Sequence, residues 1–142
     1  MTDEKLYADF LGIWELEPST CEYEQSEPPQ SGHYIISECK DGLLFQMTWT
    51  DSTGEEHNYS FTGMPDGDLR PFAGGELADA LSVSTPSDSE LTSSAYFKGN
   101  ELMRATRLLH ADGMHMDVLQ TVHLPDGSNP TNKARYRRKL HS

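Results

Sequence analysis

Histidine, tyrosine and arginine side chains form the most suggestive chemical group in this sequence. Alternation of apolar and polar residues predicts strands, in which residues two apart point to the same side. On the predicted inner side this places His33, His57, Tyr59, Tyr136 and one arginine of the segment 100–111. An arginine and a tyrosine together offer charge-assisted and neutral hydrogen bonds to an anion in a cavity of low dielectric constant. We therefore predict a binding site for the anionic end of a ligand.

The pattern does not fix which arginine belongs to this group, because the segment 100–111 is mixed on both sides. One side carries Arg104 and the other carries Arg107, so either orientation places an arginine inside unless the strand is bulged. We assign Arg104 to the ligand site, together with Arg138, which shares a side with Tyr136. The alternative is that Tyr136 belongs to the core and the arginines reach solvent or stack on Trp14.

An apolar lining for the same cavity is predicted from four residues on the inner sides of other strands, namely Phe45, Met47, Trp49 and Met116. Methionine adapts to ligands of varied shape because its side chain is flexible and polarizable. The alternative is a filled core, in which these side chains pack against one another and the domain serves as a protein-interaction module.

Signatures of metal, cofactor and catalytic sites are missing or weak. The sequence has no His-Glu-X-X-His, no Gly-X-Ser-X-Gly and no phosphate-binding loop. We therefore predict no metal and no cofactor, and nothing specific supports haem ligation by His33 or His57. The enzymatic alternative uses the cavity for isomerase-, cyclase- or hydrolase-type chemistry assisted by His57 or His33.

Recurrent turn signals define the elements that must position these residues. They occur at residues 40–42, 51–54, 65–67, 98–100, 111–113 and 125–127, and several contain Asp-Gly or Gly-Asn, which supply the positive φ of tight hairpins. The segments between them alternate, and no series of helices separates them. We predict one all-β domain over residues 1–142. Its form is an antiparallel up-and-down barrel of about eight to ten strands, because closure removes exposed sheet edges.

Three segments interrupt this pattern. Residues 3–11 place apolar side chains at helical spacing and predict a short N-terminal helix over one barrel end. Residues 17–31 are polar and contain three prolines, which predicts a long loop after the first strand. The tail of residues 68–81 fits either a helical turn or a strand.

The segment Phe10-Leu11-Gly12-Ile13-Trp14 resembles the start of a lipocalin or fatty-acid-binding protein, where a short helix leads to a Gly-X-Trp on the first strand. In these calycins an arginine of the last strand often lies over that tryptophan. The last strand offers three candidates, Arg135, Arg137 and Arg138. The resemblance implies this structural role at a closed barrel end for Gly12, Trp14 and Arg135 or a neighbour of Arg135. It also implies an apolar ligand whose carboxylate is held by an arginine and a tyrosine near the last strand, which Tyr136 and Arg138 match.

Charge and composition narrow the partners. The formal net charge is −12, with 23 acidic and 11 basic side chains, so phosphate backbones and anionic lipid headgroups are repelled. No apolar run approaches the roughly 20 residues that cross a bilayer, and the first residues lack a secretory signal pattern. We predict a cytoplasmic monomer or homodimer with free Cys21 and Cys39. Its expected partner is a small molecule rather than nucleic acid or a membrane.

Overall fold

The computed structural model describes residues 6–24, 27–40, 42–71 and 78–139. Within these residues a 3-10 helix, Ala8–Phe10, precedes ten strands. The strands are β1 (Gly12–Tyr23), β2 (Ser31–Cys39), β3 (Gly42–Thr50), β4 (Glu56–Gly63), β5 (Arg70–Pro71), β6 (Ala80–Ser87), β7 (Glu90–Phe97), β8 (Asn100–Leu109), β9 (His115–Val122) and β10 (Thr131–Arg138).

All ten strands belong to one sheet of order β4-β3-β2-β1-β10-β9-β8-β7-β6-β5. Neighbouring strands are antiparallel, and the first and last strands lie side by side. The sheet curls until the segment after β4 meets β6, where the Gly67 N–H donates to the Val83 carbonyl oxygen at 2.8 Å. The predicted all-β antiparallel barrel of eight to ten strands is confirmed, in the form of a curled half-barrel with a seam between β4 and β6.

The connections divide this half-barrel into two ends. The 3-10 helix, Lys40 and the connections 64–69, 88–89 and 110–114 lie at what we call the closed end. Residues 24, 27–30, 51–55, 98–99 and 123–130 lie at the opposite, open end. The hydrophobic core is concentrated toward the closed end and consists of Phe10, Trp14, Tyr34, Ile36, Leu43, Phe45, Val83, Leu91 and Met116. Inner side chains that a ligand can reach therefore lie toward the open end.

Strand β1 runs farther than the sequence predicts, so the long loop predicted over residues 17–31 is wrong for residues 17–23. Pro18 cannot donate to a strand ladder, but it lies in an irregularity between Glu17 and Glu22. There Thr20 Oγ1 donates to the Glu17 carbonyl oxygen at 2.6 Å and accepts from the Arg135 N–H at 2.9 Å. These bonds replace ladder bonds and allow the strand to continue past the proline.

The structure describes part of each of the other two interrupting segments, residues 3–11 and 68–81. The predicted N-terminal helix is present as the single 3-10 turn Ala8–Phe10, and residues 1–5 lie outside the described residues. The tail of residues 68–81 is a strand from Ala80 onward, while residues 72–77 lie outside the described residues.

The close approach at the seam depends on the missing side chain of Gly63. A Cβ built at Gly63 would lie 2.3 Å from Val83 Cγ2, which is far inside van der Waals contact. Val83 is only 1% exposed, so an added Cβ would have to displace a packed side chain. A Cβ built at Gly32, in contrast, would meet Leu16 at an ordinary distance of 3.5 Å.

We expect Gly63→Ala to lower the free energy of unfolding by about 1–3 kcal/mol, because overpacking forces side chains and backbone to shift. Urea denaturation measures this change. Gly32→Ala is the matched control and is expected to change stability by less than about 1 kcal/mol. Equal losses of stability in the two variants would show that the close approach of Gly63 to Val83 is not the reason for the loss.

Candidate functional site

The closed end is held by one arginine of the last strand. The Arg138 guanidinium lies 4.3 Å from the ring centroid of Trp14, which is fully buried. It donates to the carbonyl oxygens of Leu11 at 2.8 Å, Gly113 at 3.0 Å and Asp9. A Cβ at Gly12 would lie 2.9 Å from Arg138 Nη1, so glycine leaves room for the guanidinium. Arg138 therefore ties the 3-10 segment and the β8–β9 connection to the barrel.

The arginine of the last strand that stacks on Trp14 is Arg138, a neighbour of Arg135 and one of the three candidates. Arg138 was also assigned to the ligand site, but its guanidinium is held at the closed end by these bonds. Trp14 pairs directly with Arg138 across β1 and β10, whereas Arg135 is three positions away and points to the outer face. There its Nε donates to Asp117 Oδ1 at 2.9 Å. The structural roles of Gly12 and Trp14 remain as predicted, with Arg138 in place of Arg135.

Arg107 of β8 is the arginine that points into the barrel. Only 1% of this residue is exposed, and its side chain crosses the interior to β2 and β3. Nε donates to the Tyr34 hydroxyl oxygen at 2.7 Å, and Nη2 donates to Ser93 Oγ at 3.1 Å. Nη1 makes two longer bonds of 3.4 Å to the carbonyl oxygens of Leu91 and Ala105. The guanidinium also lies 4.7 Å from the centroid of the Phe45 ring.

Among the described residues, no carboxylate balances the charge of Arg107. Every hydrogen-bond acceptor that these residues give it is neutral, and none of them forms an ion pair with it. Burial of a cation costs several kcal/mol unless an anion pairs with it. The described residues thus leave a buried positive charge without a counter-ion.

Two tyrosine hydroxyls lie beside this charge. Tyr34 is 4% exposed and accepts from Arg107, so its own O–H remains available as a donor. The Tyr136 ring packs edge-on against Tyr34, with 5.6 Å between centroids. Burial raises the pKa of Tyr136 far above its usual range, with further contributions from Tyr34, Tyr23 and Cys21, while Arg107 acts in the opposite direction. Tyr136 is therefore a neutral hydrogen-bond donor at physiological pH.

The assignment of Arg104 to the ligand site is wrong, because Arg104 lies on the outer face. It is exposed, and its guanidinium donates to Glu101 Oε2 at 3.0 Å. Arg107 pairs with Val118 and Leu91, whose side chains point inward, so the register selects Arg107. Tyr34 and Ser93 belong to the same interior group and were not singled out from the sequence.

The inner face of β3 and β4 carries a row of rings, which runs from the closed end toward the open end. Phe45 and Phe61 are stacked at 4.6 Å, and Tyr59 follows at 6.0 Å from Phe61. Trp49 and His57 are stacked at 5.3 Å nearest the open end. Phe45 and Met116 belong to the buried core, Met47 and Trp49 are half-buried, and Tyr59 is 48% exposed although it faces inward. The interior is therefore accessible in its open half.

No family model matches this chain, and no curated protein matches it at a significant level. Among solved structures, zebrafish ileal bile acid-binding protein complexed with cholic acid has a TM-score of 0.52 and 15% sequence identity, over 92% of this chain and 99% of that chain. The siderocalin Ex-FABP has a TM-score of 0.42 and 12% identity, over 94% of this chain and 76% of that chain. The first likeness, which spans both chains, agrees with the antiparallel meander and the curled sheet. This chain has a calycin fold. The resemblance of its first strand to the calycins is thereby confirmed at the level of the fold.

His33 does not face the interior of this calycin barrel, so its placement in the inner group is wrong. Tyr34 pairs with Trp14 on the inner face, and the adjacent His33 must then point outward, where it lies 3.5 Å from Glu15. The enzymatic alternative consequently rests on His57 alone. The His57 Nε2 lies 2.7 Å from Asp51 Oδ2, at the open end of the calycin barrel.

One group of described residues has metal-ligand atoms within 4.8 Å of one another, namely Asp51, Glu55 and His57. Both carboxylate oxygens of Asp51 are already engaged: Oδ1 accepts from Thr53 and from the Glu55 N–H, and Oδ2 pairs with His57. These bonds lower the pKa of Asp51, with the Thr53 hydroxyl as the largest cause and His57 next. The group is explained as a hydrogen-bonded turn, and we assign no metal to it.

Two surface depressions border the calycin barrel. One, of about 470 Å³, lies at the open end and is lined by Glu24, Leu124, Ser128, Asn129 and Pro130. The other, of about 220 Å³, lies at the seam and is lined by Thr62, Gly63, Met64, Arg70, Pro71, Leu81 and Val83. Neither contains Arg107 or the two tyrosines. On the inner face, Tyr59 of β4 is the exposed large side chain nearest to this interior group.

Two smaller predictions can be compared with the described residues. Cys21 and Cys39 are free thiols, as expected from their spacing. Within the described part of the chain, no helix has the length and apolar character needed to cross a membrane.

His123 lies in a charged cluster on the outer face near the open end. Its Nδ1 is 2.6 Å from Asn129 Oδ1, and its Nε2 is 2.8 Å from Glu101 Oε1. These two bonds, that of Asn129 first, raise the pKa of His123. A histidine whose pKa is higher in the folded than in the unfolded protein stabilises the fold when it is protonated. This contribution is complete below the unfolded-state pKa of about 6.5 and is lost as the pH rises through the folded-state pKa.

We therefore expect His123→Gln to lower the free energy of unfolding more at about pH 5.5 than at about pH 8.5. Urea denaturation of the parent and the variant at both pH values gives this comparison. Asn129→Ala, which removes the first of the two bonds, is expected to show the same trend with a smaller amplitude. A larger effect at the higher pH would contradict the assignment.

Proposed function

We propose that this calycin-fold protein binds a small organic anion, with its apolar body in the open half of the barrel. The observation that carries the proposal is the fully buried Arg107, whose described partners include no carboxylate. A ligand carboxylate would supply the missing counter-charge.

Tyr34 and Tyr136 are the groups that would touch the anion. Arg107 Nε donates to the Tyr34 oxygen, which polarises that hydroxyl and leaves its proton free to donate. Tyr136 is kept neutral by burial and offers a second donor. The positive charge of Arg107 therefore acts on an anion through Tyr34, without direct contact between the guanidinium and the ligand.

The calycin fold is compatible with this role. Zebrafish ileal bile acid-binding protein, which shares the fold over most of both chains, was solved with cholic acid. A carboxylic acid with an apolar body is thus a chemical class that a barrel of this architecture accommodates. The formal net charge of −12 repels a polyanion more strongly than a ligand with a single negative charge.

The test compares acids with their neutral alcohols. We suggest 2-naphthoate with 2-naphthalenemethanol, and decahydro-2-naphthoate with the corresponding alcohol, by isothermal titration calorimetry at neutral pH. We expect at least one acid to bind about tenfold or more tightly than its alcohol, because a charge-assisted hydrogen bond is stronger than a neutral one. Equal affinity of acid and alcohol, or no binding of either acid, would refute the proposal.

Two arginines of the same strand provide a matched pair of variants. Arg107→Met removes the buried charge, and Arg104→Met removes an exposed one. The preference for the acid should disappear in Arg107→Met and persist in Arg104→Met. A preference that survives in Arg107→Met would place the anion site elsewhere.

A further inference from the structure

The row of rings on β3 and β4 has an accessible part that the packing of the protein does not use. Phe45 and Phe61 stack on each other, but Tyr59 faces inward with 48% of its surface exposed. The Trp49–His57 stack continues the row toward the open end. Cross-strand pairing explains the row, because Phe45 pairs with Phe61, Met47 with Tyr59, and Trp49 with His57.

The wall opposite this row is formed by β7, β8 and β9. Arg107 of β8 reaches Phe45 of β3 across the interior, so β8 lies opposite β3. The inner position that follows Arg107 toward the open end is Ala105, with Ser93 and Gln120 as its cross-strand partners, and Met103 comes next. Directly beyond Arg107 the ring row therefore faces the small side chains of Ala105 and Ser93, and we call the region between Tyr59 and Ala105 the slot.

The slot is continuous with the proposed anion site. Arg107 contacts Phe45 at its deep end, at 4.7 Å, and holds the Tyr34 hydroxyl at 2.7 Å. The side chains available to a ligand body are thus mainly ring faces and not the branched aliphatic groups that fill the closed end. Ring faces select planar aromatic groups, because stacked or edge-on ring pairs contribute beyond the area that they bury.

Given the proposed function, we propose that the ligand is an aromatic carboxylate, whose flat ring system lies in the slot between Tyr59 and Ala105. Its carboxylate points toward Tyr34 and Tyr136. Tyr59 and Trp49 then determine the preference for aromatic over saturated ligands, while Arg107 determines the preference for acids over alcohols.

The same probes separate these two preferences. 2-Naphthoate and decahydro-2-naphthoate have the same carbon skeleton and charge, but only the first is planar and aromatic. We expect the parent protein to bind 2-naphthoate about tenfold more tightly than its saturated counterpart. Tyr59→Leu keeps an apolar side chain without a ring and should remove most of this difference.

Tyr96→Leu is the matched control, because Tyr96 lies on β7, away from the row of rings on β3 and β4, and pairs with Ala80 of β6 and Glu101 of β8. It should leave the aromatic preference unchanged. Ala105→Leu narrows the slot from the opposite wall and should weaken 2-naphthoate binding without removing Tyr59.

Failure of this inference can be distinguished from failure of the proposed function. If both acids bind equally well and both depend on Arg107, the anion site stands and the aromatic slot is refuted. If Tyr59→Leu and Tyr96→Leu change the preference equally, the slot is likewise refuted. If neither acid binds, the proposed function itself is refuted.

Discussion

Replacing Arg107 by methionine is expected to leave the ligand-free protein as stable as the parent, or more stable, while it abolishes the preference for anions. The buried guanidinium has neutral partners only among the described residues, and two of its four hydrogen bonds are long, at 3.4 Å. Apolar replacement of buried charged groups is often neutral or stabilising by about 1–4 kcal/mol. Methionine is flexible enough to occupy much of the same space.

Urea denaturation of Arg107→Met gives the stability, and acid-against-alcohol titration of the same sample gives the binding preference. Arg104→Met is again the control, since its exposed pair with Glu101 contributes about 0–1 kcal/mol and should affect neither the core nor the ligand. A loss of more than about 3 kcal/mol in Arg107→Met, with an unchanged ligand preference, would make Arg107 a structural residue.

Removal of Arg138 is expected to have the largest effect on stability. Arg138→Ala removes three bonds to backbone carbonyls and the stack on Trp14. Hydrogen bonds that involve a charged group contribute about 1.5–3 kcal/mol each when buried. Because Arg138 is only half-buried, we expect a loss of about 3 kcal/mol in the free energy of unfolding. The fluorescence of buried Trp14 should also change, since the cation over its ring is lost.

Arg137→Ala is the comparison for this effect. Arg137 is the adjacent residue, but it is exposed and makes an ion pair with Glu15 at 3.2 Å. Surface pairs of this kind contribute about 0–1 kcal/mol, so Arg137→Ala should be nearly neutral. Similar losses in Arg137→Ala and Arg138→Ala would contradict the closed-end role that we assign to Arg138.

The fold could be predicted because its determinants are local. Asp-Gly and Gly-Asn turns and residue alternation act within about ten residues, and they were sufficient for an antiparallel meander. The sequence analysis missed the extension of β1 beyond Pro18. That extension depends on the bond from the Arg135 N–H to Thr20, and Arg135 lies on a strand more than 100 residues away in sequence.

The interior site was predicted only in part, because alternation within one strand does not say which of its two faces is the inner one. Hairpin pairing does. The turn at residues 111–113 pairs Arg107 with Val118, which the sequence already places inside. The turn at residues 40–42 likewise pairs Tyr34 with Met47, another predicted inner residue, and thereby places the adjacent His33 outside.

The most direct measurement of the central claim is the pKa of the ligand's own carboxyl group when it is bound. 2-Naphthoic acid labelled with ¹³C at the carboxyl carbon can be titrated by NMR, free and in complex with the protein. If the carboxylate lies in the field of Arg107 and accepts from Tyr34 and Tyr136, its pKa in the complex should fall by about one unit or more, and Arg107→Met should reverse this shift. A pKa that rises on binding to the parent protein, as burial in an apolar cavity alone would cause, would contradict the anion site.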